Sequence, residues 1–222
     1  MRALLVAAAP REGSESLVAE LAASADMTIA VDGGGAVCLA AGVVPNVVLG
    51  DFDSLAPAAL ERIAESGAWV VRFPAEKDET DLELALAEAR SAGADEVVLT
   101  CATAERLDHT LAALGALAAN ADLRPELAET DLSGWVLAPG GRDSVELEGE
   151  GATVSLVALG SSAVVSATGV RWPLEAAELR PGSGLGISNV ITDRAGARFS
   201  VTSGSLLVLA PILADGPRAT MP

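Results

Sequence analysis

The sequence has no tyrosine, only three phenylalanines and three tryptophans, and a single histidine. A core must therefore be built from Ala, Leu and Val, and each remaining ring carries more information than usual. Basic residues are also few: 14 Lys and Arg stand against 31 Asp and Glu, giving a formal net charge of −17 and a pI near 4.3. That balance excludes broad contact with nucleic acid or an anionic membrane surface. An acidic chain also repels free polyphosphate, so a nucleotide ligand would need metal ions to offset both sets of negative charge. Cys38 and Cys101 are the only cysteines. They stand in no metal-ligand spacing, each within an apolar stretch, and read as buried free thiols of a reducing cytoplasm. The apolar run at the N-terminus is broken by Arg11 and Glu12. It is too short for a spanning helix and poorly built for a signal peptide, so no membrane partner is expected.

What is present is enough for a sizeable core: 222 residues, 50% of them hydrophobic. Apolar runs at Ala3 to Ala9, Met27 to Val31, Val47 to Leu49, Trp69 to Phe73 and Glu96 to Thr100 predict strands. Between them Leu17 to Ala25, Ala36 to Ala41, Pro57 to Ser66, Glu79 to Ser91 and Asp108 to Ala119 predict helices. This alternation predicts an α/β half with a mainly parallel sheet flanked by helices, its ligand site at the carboxyl ends of the strands. Ala121 to Ser133 reads as polar and irregular. From Ser144 onward short alternating runs separated by glycine turns predict strands at Val145 to Leu147, Thr153 to Leu159, Ala163 to Ala167, Phe199 to Thr202 and Leu206 to Leu209. The second half is accordingly expected to be an all-β, sandwich-like domain. The expected boundary lies near residue 140, giving domains 1–140 and 141–222, and the tail from Pro211 is expected to fray.

The chemistry-bearing residues concentrate in the first half. Gly50-Asp51-Phe52-Asp53-Ser54, Lys77-Asp78-Glu79-Thr80-Asp81 and Arg106-Leu107-Asp108-His109 each follow or precede an apolar run. Mg²⁺ takes oxygen ligands and is commonly held by carboxylates together with substrate phosphates, so the clusters point to a metal-nucleotide site; any single Asp here equally suits a turn or a helix cap. Thr80 and Ser54 are also good helix caps. Asp32-Gly33-Gly34 can bring backbone N–H groups close to an anion or form a simple tight turn. Lys77 and Arg106 can offset phosphate charge or pair with a neighbouring Asp. His109 fits a hydrogen-bonding role better than proton transfer. Trp172 is either a flat wall for a ligand or a core tryptophan, and Ser188 with Asn189 either hydrogen-bonds a ligand or forms a turn.

Together these motifs resemble the thiamine pyrophosphokinase family. The resemblance rests on Asp32-Gly33-Gly34, Pro45 with Leu49 to Ser54, Phe73-Pro74 with Lys77 to Asp81, Arg106 to Thr110, Gly169 to Leu174 and Gly186 to Asn189, in the family's order and approximate spacing. It covers most of the chain. It departs where the family usually carries glycines, at Ala102-Thr103-Ala104-Glu105, and in lacking the usual Asn-Gly within Ala7 to Gly13.

The resemblance implies transfer of diphosphate from ATP to the hydroxyl of thiamine, giving thiamine diphosphate and AMP, with Mg²⁺ as the metal. It further implies a homodimer whose sites combine the α/β half of one chain with the β half of the other. On this basis Asp51, Asp53, Asp78 and Asp81 are assigned to metal binding, directly or through water. Asp108 is assigned to metal binding or to the thiamine hydroxyl, where positioning suits it better than proton abstraction because a charged carboxylate beside Mg²⁺ is a poor base. Arg106 completes the catalytic set, and Asp32, Gly33, Gly34, Lys77, Thr80, Arg106 and His109 are expected at the nucleotide. Trp172, Ser188 and Asn189 are expected at thiamine. The alternatives are a related pyrophosphokinase acting on another heterocyclic alcohol, such as a pterin, or a non-catalytic thiamine- or nucleotide-binding protein.

Overall fold

Runs of Val, Ile, Leu and Ala with no polar face need cover on both sides, and the chain supplies it by alternating strand and helix. In the computed structural model, which describes residues 1–103 and 106–211 and the backbone of Ala219–Thr220, the first part forms β1 (Arg2–Val6), α1 (Ser14–Ser24), β2 (Met27–Val31), α2 (Gly34–Ala40), β3 (Val47–Gly50), α3 (Pro57–Glu65), β4 (Trp69–Arg72), α4 (Asp81–Ser91), β5 (Glu96–Thr100) and α5 (Leu107–Ala119). The strands pair in parallel in the order β5-β1-β2-β3-β4, with Leu5 opposite Leu99 and Ile29, and Val47 opposite Ile29 and Trp69. β1, β2, β3 and β5 are almost wholly buried, whereas the outermost strand β4 leaves Trp69 73% exposed.

The helix ends follow local chemistry. α3 opens with Pro57, whose fixed φ suits a first turn, and stops before Gly67, which takes a φ of 96°. α4 opens with a capping box: the Thr80 hydroxyl accepts from the Glu83 N–H at 3.2 Å, and Glu83 Oε2 accepts from the Thr80 N–H at 2.8 Å. The core collects Leu4, Val6, Ala30, Val48, Ile63 and Val98. Ile63 has no exposed surface, and full burial of such a side chain contributes about 1.5–3 kcal/mol.

After a 3₁₀ turn at Ala121–Leu123 come β6 (Glu126–Ala128), β7 (Leu132–Leu137), β8 (Ser144–Leu147), β9 (Thr153–Thr168), β10 (Leu174–Leu179), β11 (Asn189–Val190), β12 (Ala197–Pro211) and β13 (Ala219–Thr220). From β7 onward every pairing is antiparallel: β12 lies beside β7, β8 and β9, while β10 and β11 pair with β9. Phe199, Leu206, Leu147, Leu156 and Val165 lie in its core.

Several expectations need correcting. The four short strands expected between Thr153 and Leu209 are two long ones, β9 and β12. Gly160 at φ 74° and Gly204 at φ 75° bend these strands, and the β9–β12 register shifts around Ser203. The glycine signals mark irregularities inside strands, not ends of strands. The polar stretch from Ala121 to Ser133 contains β6 and the start of β7. Ala219–Thr220 pairs with β8, so the tail does not fray there; its other residues beyond Pro211 lie outside the described ones.

Contacts divide the chain into one unit of Met1–Ala116 with Ala128–Thr130 and another of Leu117–Leu127 with everything from Asp131 onward. This differs from a division at residue 140. The reason is β7, which pairs with β12 from Leu132 opposite Pro211 to Leu137 opposite Leu206 and so belongs with the antiparallel strands.

Candidate active site

The carboxyl ends of β1, β2 and β5 open into a cavity of about 440 Å³, which the first turns of α4 and α5 help to line. Residues after β2, β3 and β5 adopt backbone conformations that side chains seldom take: Asp32 has a φ of 47°, Phe52 of 63° and Cys101 of 57°. Such positions cost free energy and persist where the surroundings hold them, most often at functional sites. Gly50 makes one of them possible. A Cβ there would lie 3.0 Å from the Asp32 Cβ, and the glycine's φ of 147° is itself unfavourable for other residues.

Asp32, Asp51 and Asp53 each offer a carboxylate oxygen, and these lie within 4.8 Å of one another. Asp51 Oδ1 accepts from the Asp53 N–H at 3.1 Å, which tightens the loop between them. Ser54 donates to Asp32 Oδ2, so Ser54 holds the cluster and does not cap α3. The other oxygen of Asp32, Oδ1, is buried with no hydrogen-bond partner among the described residues. A buried acceptor left unpaired costs free energy, so the arrangement calls for a positive ligand. An all-oxygen set of this kind fits a hard divalent cation such as Mg²⁺.

Asp81 is linked to this cluster electrostatically. Burial pushes its carboxyl above the usual range, Asp32 and Asp51 add to the effect, and Lys77 opposes it. Lys77 Nζ lies 3.1 Å from Asp81 Oδ1 and donates to the Pro74 carbonyl at 3.0 Å. Arg72, which the sequence did not single out, braces the same loop. Its guanidinium lies 4.7 Å from the centre of the Phe52 ring and donates to the Asp51 carbonyl at 2.8 Å. No motif marks such an arginine; its place at the end of β4 is the only signal.

Not every predicted residue joins the cluster. Asp78 is exposed and does not line the cavity. Asp108 is exposed and forked by Arg106, whose Nε and Nη2 lie at 3.2 and 2.6 Å; this bond holds the carboxyl down to about 2. Arg106 and His109 line the cavity. Thr80 lines it too, but its hydroxyl is engaged as the cap of α4. Gly33 and Gly34 serve packing: a Cβ on Gly34 would lie 1.9 Å from the Val6 carbonyl oxygen, and one on Gly33 2.7 Å from Ser54 Oγ. Gly33 has an ordinary φ of −57°. Ala104 and Glu105, half of the stretch that departs from the expected glycines, lie outside the described residues.

In the second unit Trp172 is 55% exposed and so is not a core tryptophan. Arg171 stands 5.6 Å from its ring centre. Asn189 is only 3% exposed, and its carboxamide is committed to the Trp172 backbone. Ser188 takes a φ of 58° and donates its N–H to Ser155 Oγ at 3.1 Å. Gly186 is dictated by packing, since a Cβ would lie 2.4 Å from the Leu156 carbonyl oxygen.

Residues 18–127 match the family described as thiamin pyrophosphokinase, catalytic domain, and residues 144–206 match the thiamin pyrophosphokinase, vitamin B1 binding domain. The chain belongs to the thiamin pyrophosphokinase family. Thiamine pyrophosphokinase of Bacillus subtilis (strain 168) is 28% identical over 202 residues, covering 89% of this chain and 94% of that one. Thiamine pyrophosphokinase 1 of rice is 27% identical over 173 residues, covering 74% and 64% of the two chains. The crystal structure of the Bacillus subtilis protein superposes with a TM-score of 0.79 at 26% identity, over 96% of this chain and all (100%) of that one. The thiamin pyrophosphokinase of Geobacillus thermodenitrificans gives 0.76 at 28%, over 96% and 99%. The yeast enzyme, at 14% identity and 0.75, shares the fold. The catalytic-domain match includes Asp32, Asp51, Asp53 and Asp81, and the vitamin B1 match includes Trp172 and Asn189.

Proposed function

We propose that this chain is an Mg²⁺-dependent thiamine diphosphokinase, which transfers the diphosphate of ATP to the hydroxyl of thiamine and releases AMP. The observation that carries the site assignment is the Asp32, Asp51 and Asp53 cluster with its unpartnered buried oxygen, at a cavity of a size that suits a small ligand. Asp32, Asp51 and Asp53 hold the metal, and Asp81 joins them through water or directly. When bound, Mg²⁺ would supply positive charge to offset that of the phosphates. Phosphoryl transfer asks little covalent chemistry of a protein, so the residues act mainly by placement. Arg106 turns its fork to a phosphate, which frees Asp108 to accept a hydrogen bond from the thiamine hydroxyl and hold it in line. Lys77 keeps Asp81 in place and lowers the repulsion within the cluster. His109 bonds the nucleotide, and Trp172 stacks on thiamine from a backbone that Asn189 fixes.

The working form is a homodimer in the cytoplasm, with each site completed by the β-rich unit of a second copy. Exposed apolar side chains support partner surfaces on each unit: Leu107 and Leu111 on α5 are 72% and 60% exposed, and Trp172, Leu185 and Ile187 are exposed in the second unit. No described helix is long and apolar enough to cross a membrane.

Incubation of the purified protein with thiamine, ATP and MgCl₂ should yield thiamine diphosphate and AMP in equal amounts, with no product from a pterin alcohol run in parallel. Formation of thiamine monophosphate and ADP, or binding of both ligands without AMP release, would overturn the assignment.

A further inference from the structure

Glu129 belongs to no motif that the reaction requires, yet it has no exposed surface. It follows β6 in the short segment Ala128–Thr130 that groups with the first unit. Its carboxylate receives consecutive backbone N–H groups of the turn after β5: Cys101 at 3.2 Å to Oε2, and Ala102 at 2.8 Å and Thr103 at 3.1 Å to Oε1. Successive N–H groups converging on one point form an anion nest. Here the anion is part of the chain. The turn needs such a hold, because Cys101 sits at a φ of 57° with its side chain buried.

A second side chain grips the same turn from Arg11. Its Nη2 donates to the Thr103 carbonyl and to Thr103 Oγ1, both at 2.9 Å. Cys101 and Ala102 are walls of the cavity, and Arg106 and His109, which follow the turn, line it as well. The N–H groups of Cys101, Ala102 and Thr103 are therefore occupied from within, and these residues serve the nucleotide by their fixed shape.

We propose that Glu129 is a positioning residue for nucleotide binding. It holds Cys101 to Thr103 so that the cavity wall and the start of α5, with Arg106 and His109, are in place before ATP arrives. The proposal rests on the functional reading given above. The side chain is specific for the task. An aspartate is one methylene too short to reach all three donors, and a glutamine turns an NH₂ group toward one backbone N–H while keeping one acceptor.

The test is binding, not turnover. Isothermal titration of MgATP alone and of thiamine alone into wild type, E129Q, E129A and T103V separates the two ligands, and melting temperatures separate positioning from stability. E129Q should weaken MgATP binding roughly tenfold, the equivalent of one unsatisfied buried group, and leave thiamine binding within about twofold. E129A should weaken it further, and T103V, which loses only the hydroxyl bond to Arg11, should weaken it by roughly threefold. Normal MgATP affinity in E129Q, even with a lowered melting temperature, would show Glu129 to be merely structural. Should E129Q fail to fold, E129D, which keeps the charge and shortens the reach to the three N–H groups, decides in its place by the same MgATP and thiamine titrations. A wild type that binds no MgATP also overturns the proposal. A wild type that binds MgATP yet forms no thiamine diphosphate defeats the functional reading while this one stands.

Discussion

Asn189 holds Trp172 by its backbone, accepting the Trp172 N–H on Oδ1 at 3.1 Å and donating Nδ2 to the Trp172 carbonyl at 2.8 Å. The same Oδ1 also accepts from the Val190 N–H at 2.9 Å. A buried carboxamide so fully engaged has little left to offer a ligand, whereas the half-exposed indole it supports does.

Replacing Asn189 by Ala should therefore act on thiamine through Trp172. The change leaves part-buried N–H and C=O groups unpaired, at a cost of about 1 kcal/mol in stability. Steady-state kinetics should show the KM for thiamine raised and that for ATP unchanged, with Trp172→Ala giving the same pattern. A rise confined to the ATP KM would refute the arrangement.

The Asp32, Asp51 and Asp53 cluster predicts opposite effects on activity and stability. Asp51→Asn or Asp53→Asn should lower kcat by at least roughly a hundredfold, since a metal contributes several kcal/mol to such a transition state. In metal-free buffer the same variants should melt at a higher temperature than wild type, because one of several crowded like charges is gone. Adding MgCl₂ should raise the melting temperature of wild type but not of the variants. Calorimetry with and without EDTA reads both effects.

Arg72 predicts a loop that loosens when its brace is removed. Arg72→Ala loses both the stacking on Phe52 and the bond to the Asp51 carbonyl, so the Mg²⁺ concentration giving half-maximal activity should rise by roughly tenfold. Arg72→Lys keeps the charge without the planar fork and should recover only part of the loss. An unchanged Mg²⁺ requirement in Arg72→Ala would remove the arginine from the site.

The capping box of α4 predicts a pH signature. Hydrogen bonds from Thr80, first from its N–H and then from its hydroxyl, hold Glu83 below its ordinary 4.5. The folded chain thus binds fewer protons than the unfolded chain as the pH falls past that value. The stability contributed is present above about pH 4.5 and disappears as the pH drops through the lowered value. Glu83→Gln should lie below wild type in stability near neutrality and converge with it in acid, as urea titrations across that range would show. Thr80→Ala should cost about 0.5–2 kcal/mol.

Much of the α/β half was legible because β2 and β3 run into Asp32 and Gly50-Asp51, while Gly42, Gly67 and Gly93 follow α2, α3 and α4, and such punctuation survives folding. Asp32 was legible as part of a motif but was read with the nucleotide. Its place in the carboxylate cluster depends on β2 and β3 lying side by side, with Asp32 donating its N–H to the Leu49 carbonyl at 2.8 Å. Asp78 and Asp108 looked equivalent to their neighbours because spacing along a chain says nothing about which way a loop turns. Glu129 and Arg72 were invisible for the opposite reason. Each acts on backbone far away in sequence, and a polar residue that bonds to backbone leaves no periodicity. In the second half the bends at Gly160 and Gly204 were read as turns, since a glycine at positive φ looks the same in sequence whether the chain reverses or only bends.

The left-handed backbone at Asp32 bears on which mutations the site can absorb. At a φ of 47° glycine is at ease, Asn and Asp are tolerated, and β-branched residues are strongly disfavoured. A saturation library at this position would sort first by conformation: Asn and Gly keep the turn and forfeit the ligand, while Val and Ile lose the turn itself. Charge can therefore be removed from the site in a single step without disturbing its shape. A folded but inactive descendant lies one substitution away.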